Sequence, residues 1–202
     1  MSPATPTLQP RDLPMLEALV VSTGVVALGE IGDKTQLLAL MLATRFRRPW
    51  PIVAGIAVAT LLNHTVAGLV GQWVRSAVPA DWLKWLLALS LFIVAAWTLK
   101  PDKLDRATAP SSHFSVFTVT AVSFFLVEIG DKTQIATALL AARFAALSAV
   151  VAGTTLGMLI ADIPVVFAGH LVGERIPLKL VRVVAALIFA ALGFWVLVAG
   201  VG

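Results

Sequence analysis

Glu30-Ile31-Gly32-Asp33-Lys34-Thr35-Gln36 recurs letter for letter as Glu128-Ile129-Gly130-Asp131-Lys132-Thr133-Gln134. Each copy sets two carboxylates and an ammonium inside a long apolar run, where a charge at mid-bilayer depth costs on the order of 3 kcal/mol. At a shift of 98 residues the match extends without a gap: Arg45-Phe46 falls on Arg143-Phe144, Val53 to Gly55 on Val151 to Gly153, Gly71 on Gly169 and Trp97 on Trp195. The chain therefore reads as a duplication, and whatever the motif does, it is built twice.

Composition sets the medium. Of 202 residues, 59% are hydrophobic and only 13% charged, against roughly 25% charged in a soluble globule. The mean hydropathy is +0.94. The apolar material falls into stretches of about 20 residues, the length a helix needs to cross a bilayer, and shows no alternation of the barrel kind. The expected fold class is thus an all-α integral membrane protein. With no cysteine, disulfides and thiolate metal sites are excluded, which leaves oxygen and imidazole as metal ligands. The net charge of +4 comes from Lys and Arg in short loops between apolar runs. That is the pattern of membrane topology, and nucleic acid is not expected as a partner.

Six spans are expected, at about 15–44, 50–74, 83–99, 114–142, 147–172 and 178–200. Tryptophans mark their ends, as interfacial indoles do. Residues 1–14, polar and proline-rich, read as a disordered tail, and 100–113 as a linker between a first repeat (15–99) and a second (114–202). Because three spans is an odd number, the second repeat enters the membrane upside down, giving two inverted three-helix repeats. Loops after spans one, three and five carry nine Lys and Arg outside the motifs (Arg45, Arg47, Arg48, Lys100, Lys103, Arg106, Arg175, Lys179, Arg182), against four on the other side (Arg11, Arg75, Lys84, Arg143). The positive-inside rule then puts both termini on the non-cytoplasmic side of the inner (plasma) membrane.

On an unbroken helix, Glu30, Asp33 and Lys34 share a stripe with Gln36 beside them and Thr35 on the far side; Glu128, Asp131, Lys132, Gln134 and Thr133 repeat the arrangement. Ionisable groups at this depth turn from lipid toward the bundle interior, so the two stripes are expected to face each other. Glu30, Asp33, Glu128 and Asp131, with the amide oxygens of Gln36 and Gln134, would make an oxygen-rich cage for a hard divalent cation. Four carboxylates and two ammonium groups sum to minus two, which one such ion cancels. An emptied cage invites protons, so exchange of one divalent cation for about two protons is expected. Glycines at 29, 32 and 130 could let each motif helix bend or unwind, freeing carbonyls and swinging the threonines inward, or could serve helix packing, as Gly153 and Gly157 could. Glu30 with Lys34 could also be plain i to i+4 glue, but Asp33 and Asp131 then add acids with no counter-ion of their own. Asp162, opposite His64 in the repeat register and near Asn63, could line the ion path or relay protons.

A metalloprotease or hydrolase is disfavoured, since no HExxH and no nucleophile with a base partner stands in the chain. An acidic-ring channel would not need inverted halves, and a non-transporting scaffold would not need the acids. The two intact copies of the ExGDKT pattern, Glu30, Gly32, Asp33, Lys34, Thr35 and Glu128, Gly130, Asp131, Lys132, Thr133, carried on spans one and four, resemble the Gdt-type cation/proton antiporter family. That family includes bacterial manganese exporters and Golgi manganese and calcium transporters, and the resemblance runs from the first span to the last. It implies export of Mn²⁺ or Ca²⁺ against protons, no prosthetic group, and the acids of both motifs as the ion site. The short linker fits a bacterial plasma-membrane exporter better than a Golgi protein.

Overall fold

The computed structural model describes residues 12–100, 114–172 and 178–200, without side-chain detail at 12, 13, 168–172, 178 and 181. The described chain forms eight α-helices: α1 (Asp12–Glu30), α2 (Lys34–Phe46), α3 (Pro49–Ala77), α4 (Ala80–Thr98), α5 (Val116–Glu128), α6 (Lys132–Arg143), α7 (Leu147–Val172) and α8 (Leu178–Ala199). Their ends follow local chemistry. Arg47 stops α2 in the left-handed region (φ 53°), with its N–H on the Ala43 carbonyl, and Pro49 opens α3 at a position where a missing N–H costs nothing. Val78-Pro79 separates α3 from α4. The Ser115 hydroxyl caps α5 by accepting from the Thr118 N–H. Residues 101–113, most of the expected linker, lie outside the described residues, and α1 begins at Asp12, within the stretch read as tail.

Helices α3, α4, α7 and α8 are each long and apolar enough to cross a membrane; α1 and α2, bent by 70° to one another, make a fifth candidate if taken as one broken span. The expected unbroken helices over 15–44 and 114–142 are corrected here. Both break at the motif, leaving α5 and α6 at only 13 and 12 residues. The backbone at Gly32 and Gly130 is left-handed (φ 79° and 74°), and one such residue ends the 100° progression that places side chains on a common stripe.

The halves are interleaved. Helix α1 lies along α7, α3 along α5 and then α6, and α4 on α8. The two cross-repeat seams match position for position. A methyl group on Gly55 would stand 2.7 Å from Thr120 Cβ and 2.9 Å from the Phe117 carbonyl; on Gly153 it would stand 3.0 Å from Ser22 Cβ and 2.5 Å from the Leu19 carbonyl. Gly55 and Gly153 are repeat mates, as are Thr120 and Ser22, and Phe117 and Leu19. Further along, Gly157 meets Thr23 and Val26, and Gly71 meets Ala138. Contact numbers rise together on both partners, so α7 runs parallel to α1, and α3 parallel to α5 and α6. Glycine at these crossings lets backbones touch where lipid offers no hydrophobic drive for association. Large side chains outside the seams, among them Leu62 and Leu69 on α3, Leu89 and Ile93 on α4 and Phe194 and Val198 on α8, stay exposed, as a lipid-facing surface requires.

Candidate cation site

Both motifs fold the same way locally. Helix α1 ends at Glu30, Gly32 takes the left-handed turn, and Asp33 becomes the N-cap of α2 with its N–H on the Glu30 carbonyl at 3.0 Å. Asp131 N–H reaches the Glu128 carbonyl at the same 3.0 Å. Four residues beyond each glycine a glutamine closes the turn: Gln36 Oε1 accepts from Gly32 N–H at 2.8 Å, and Gln134 Oε1 from Gly130 N–H at 2.7 Å. These bonds pair the glycine and aspartate amides of each turn in a medium that supplies no water. The break also brings two positive helix N-termini, those of α2 and α6, to the level of the aspartates.

The two aspartates are not uncompensated acids, contrary to the sequence reading. Lys34 Nζ pairs with Asp131 across the repeat boundary at 2.9 Å, and Lys132 Nζ pairs with Asp33. These reciprocal bridges replace the i to i+4 pairing within one helix. Asp33 and Asp131 are each 1% exposed and Lys132 3%, whereas the Lys34 side chain keeps 23%. The threonines expected on the far side have swung inward: Thr35 Oγ1 donates to Glu30 Oε2, and Thr133 Oγ1 to Asp131 Oδ2 at 3.0 Å. Gly29, by contrast, sits within the helical part of α1, where a methyl group would stand in ordinary contact with Phe189 and Thr133 at 3.6 Å.

Three carboxylates converge: Glu30, Asp33 and Asp131 each offer an oxygen, all within 4.8 Å of one another and all buried. The fourth member of the expected cage, Glu128, is engaged elsewhere. Thr60 Oγ1 donates to its Oε1 at 2.7 Å and Asn63 Nδ2 to its Oε2 at 2.9 Å, both from α3. The glutamines also reach outward, Gln36 Nε2 to the Ala161 carbonyl at 3.1 Å and Gln134 Nε2 to Asn63 Oδ1 at 3.5 Å. Thr60 was not singled out from sequence; its spacing of three from Asn63, on the helix that packs beside the second motif, was the available signal. Asp162 is fully buried and lies within electrostatic reach of Glu30, Asp33 and Glu128. A 510 Å³ cavity at the α2–α3 turn, lined in part by Thr44, Arg47, Arg48 and Phe167, shares no residue with this cluster, and its guanidiniums repel cations.

Membrane-length helices around a helix pair broken at a buried, ion-paired acidic turn define a multi-pass membrane protein with a cluster of acids in its interior. The model of the family described as "Divalent cation/proton antiporter GDT1" matches residues 18–106 and 116–202. The chain belongs to this family, and is a transporter rather than an enzyme. It is 49% identical over 176 residues to a Vibrio cholerae protein named "Putative manganese exporter", covering 87% of this chain and 88% of that one. Identity to the "GDT1-like protein sll0615" of Synechocystis sp. is 30% over 213 residues (92% and 100%), and to "GDT1-like protein 3" of Oryza sativa 27% over 208 (89% and 72%). No solved structure matches.

Proposed function

We propose that this transporter exports Mn²⁺, with Ca²⁺ as the alternative cargo, from the cytoplasm in exchange for protons. The observation that carries the reading is the convergence of Glu30, Asp33 and Asp131, three buried carboxylates drawn from both repeats. Hard oxygen donors suit these ions, and the homologue's name favours manganese between them. When the ion leaves, the carboxylates face one another in a poor dielectric, a situation that hydrogen ions relieve. Metal and proton therefore compete for the same oxygens, which is the requirement for antiport.

Two broken spans, α1 with α2 and α5 with α6, together with α3, α4, α7 and α8 make six crossings in two inverted repeats, with both termini outside the cytoplasm. The reciprocal seams and the parallel course of α7 beside α1 support this, because spans one and five share a direction only when an odd number of crossings lies between them, here spans two, three and four. Lys34 and Lys132 then act as tethered counter-ions that tie each acidic turn to its mate, and Thr35 and Thr133 as hydroxyls that follow the carboxylates. Gln36, Gln134 and Glu128 hold the turns and their neighbouring helices, and Gly32 and Gly130 act as the hinges. Rocking one repeat against the other would open the carboxylates to one side at a time.

In a manganese-sensitive host, the wild-type gene is expected to restore growth at toxic external Mn²⁺. Asp33→Asn and Asp131→Asn, inserted at normal levels, are expected to lose that protection, and full protection by both variants would contradict the site.

A further inference from the structure

The two copies of the motif are identical in sequence but not in surroundings. Facing Glu128, α3 presents Thr60 and Asn63, which together donate to both of its oxygens. The same register on α7 presents Met158 and Ala161, neither of which has a side-chain donor. Glu30 accordingly has only the Thr35 hydroxyl on Oε2, and its buried Oε1 has no hydrogen-bond partner among the described residues. What α7 brings instead is Asp162, where α3 has His64. Asp162 is fully buried, and both its carboxylate oxygens are without a hydrogen-bond partner among the described residues.

Its placement is fixed from two directions. Gly153 and Gly157 lock α7 onto the Leu19 and Thr23 carbonyls of α1. Gln36 of the first motif holds the carbonyl of Ala161, the residue before Asp162. Pro164 lies inside α7 and has no N–H for the Ile160 carbonyl, which loosens the helix at this level. A wholly desolvated carboxylate with no donor is costly unless a cation completes it.

We propose that the ion is held off-centre by Glu30, Asp33 and Asp131, whose oxygens already lie within 4.8 Å of one another, with Asp162, outside that group but within electrostatic reach of it, closing in as a fourth ligand, while Thr60 and Asn63 act as a latch that keeps Glu128 out of the coordination sphere. This rests on the divalent-cation reading above and assigns its ligands. Charge agrees: those four acids with Lys34 and Lys132 sum to minus two, the complement of one divalent ion, and Glu128 is provided for by its own two donors. The duplicated site thus works as one site with unequal halves.

Mn²⁺ binding to the purified full chain in detergent, measured by calorimetry at fixed pH, tests the assignment. Glu30→Gln and Asp162→Asn are each expected to weaken binding by about tenfold or more, and Glu128→Gln to leave it within about threefold. If E128Q costs as much as E30Q, or D162N costs nothing, the two motifs contribute alike and the off-centre site is wrong, though the wild-type affinity still stands for a cation transporter. Wild-type protein that binds neither Mn²⁺ nor Ca²⁺ would overturn both readings. Should D162N fail to fold, Asp162→Glu keeps the acid on a longer arm and is expected to shift the preference for Mn²⁺ over Mg²⁺ by about threefold or more; an unchanged preference contradicts the assignment.

Discussion

Lys132 and Lys34 occupy matching places in the two repeats, but Lys132 is enclosed and Lys34 is a quarter open to the surface. Removing one partner of a buried pair leaves a bare charge behind, at a cost of about 3–5 kcal/mol, whereas a partly exposed pair contributes about 1 kcal/mol. Lys132→Met is therefore expected to lower the thermal midpoint in detergent well below that of Lys34→Met, and equal losses would show that the two bridges are energetically alike. Gly130 offers a cleaner probe of the turn, because a methyl group there meets nothing within 4 Å. Any loss in Gly130→Ala comes from the left-handed backbone alone, about 1–2 kcal/mol, read as a shift in the same unfolding midpoint. At this scale sequence reasoning singled out the side chains that the structure gathers, Glu30, Asp33 and Asp131, and misjudged their partners. Helical geometry places Glu30 beside Lys34, and only the break at the glycine sends each lysine to the other repeat's aspartate.

Among the elements, α3 and α7 carry the difference between the halves. Asn63 bridges three groups on α5 and α6: the Phe125 carbonyl, Glu128 and Gln134. Asn63→Leu strands a buried carboxylate oxygen and a carbonyl, and is expected to destabilise the protein by about 1–3 kcal/mol per orphaned group, seen as a lower midpoint and faster proteolysis near the α5–α6 turn. The glycine seam gives a steric test. A methyl on Gly71 would lie 2.0 Å from the Ala138 carbonyl, while one on Gly24 has open space. Gly71→Ala is expected to force α3 from α6 and reduce the folded yield, and Gly24→Ala to be tolerated; a fully folded Gly71→Ala would contradict the close packing. The unbroken spans were legible from their apolar length and the prolines and tryptophans at their ends. The breaks were legible only as one of two readings of glycines 29, 32 and 130, bending or close packing, because Ile, Thr and Leu around the motif continue a helical pattern that a single glycine torsion interrupts. The latch was hidden for another reason. Thr60 and Asn63 are ordinary polar residues until the fold lays α3 against Glu128, a contact 65 to 68 residues away along the chain.

For the whole molecule, the duplication was legible directly in seven consecutive identities at a constant shift, and the expectation of oxygen ligands rested on the acids and the lack of cysteine. The inequality of the two halves was visible only as a mismatch in the repeat register, Thr60 against Met158 and His64 against Asp162, whose meaning depends on what each helix touches. The carboxylates of Glu30, Asp33 and Asp131 are buried, at 0 to 1% exposure, so on the proposed reading release of an ion requires the repeats to move against each other. Flux in proteoliposomes measures that motion and its coupling together. With an acidic interior and a neutral exterior, the wild-type protein is expected to accumulate external Mn²⁺ while the lumen loses protons, both processes stopping when the pH gradient is collapsed, and the Asp33→Asn, Asp131→Asn double variant is expected to do neither. Mn²⁺ uptake that is indifferent to the gradient, or that persists in the double variant, would contradict proton-coupled transport through these carboxylates.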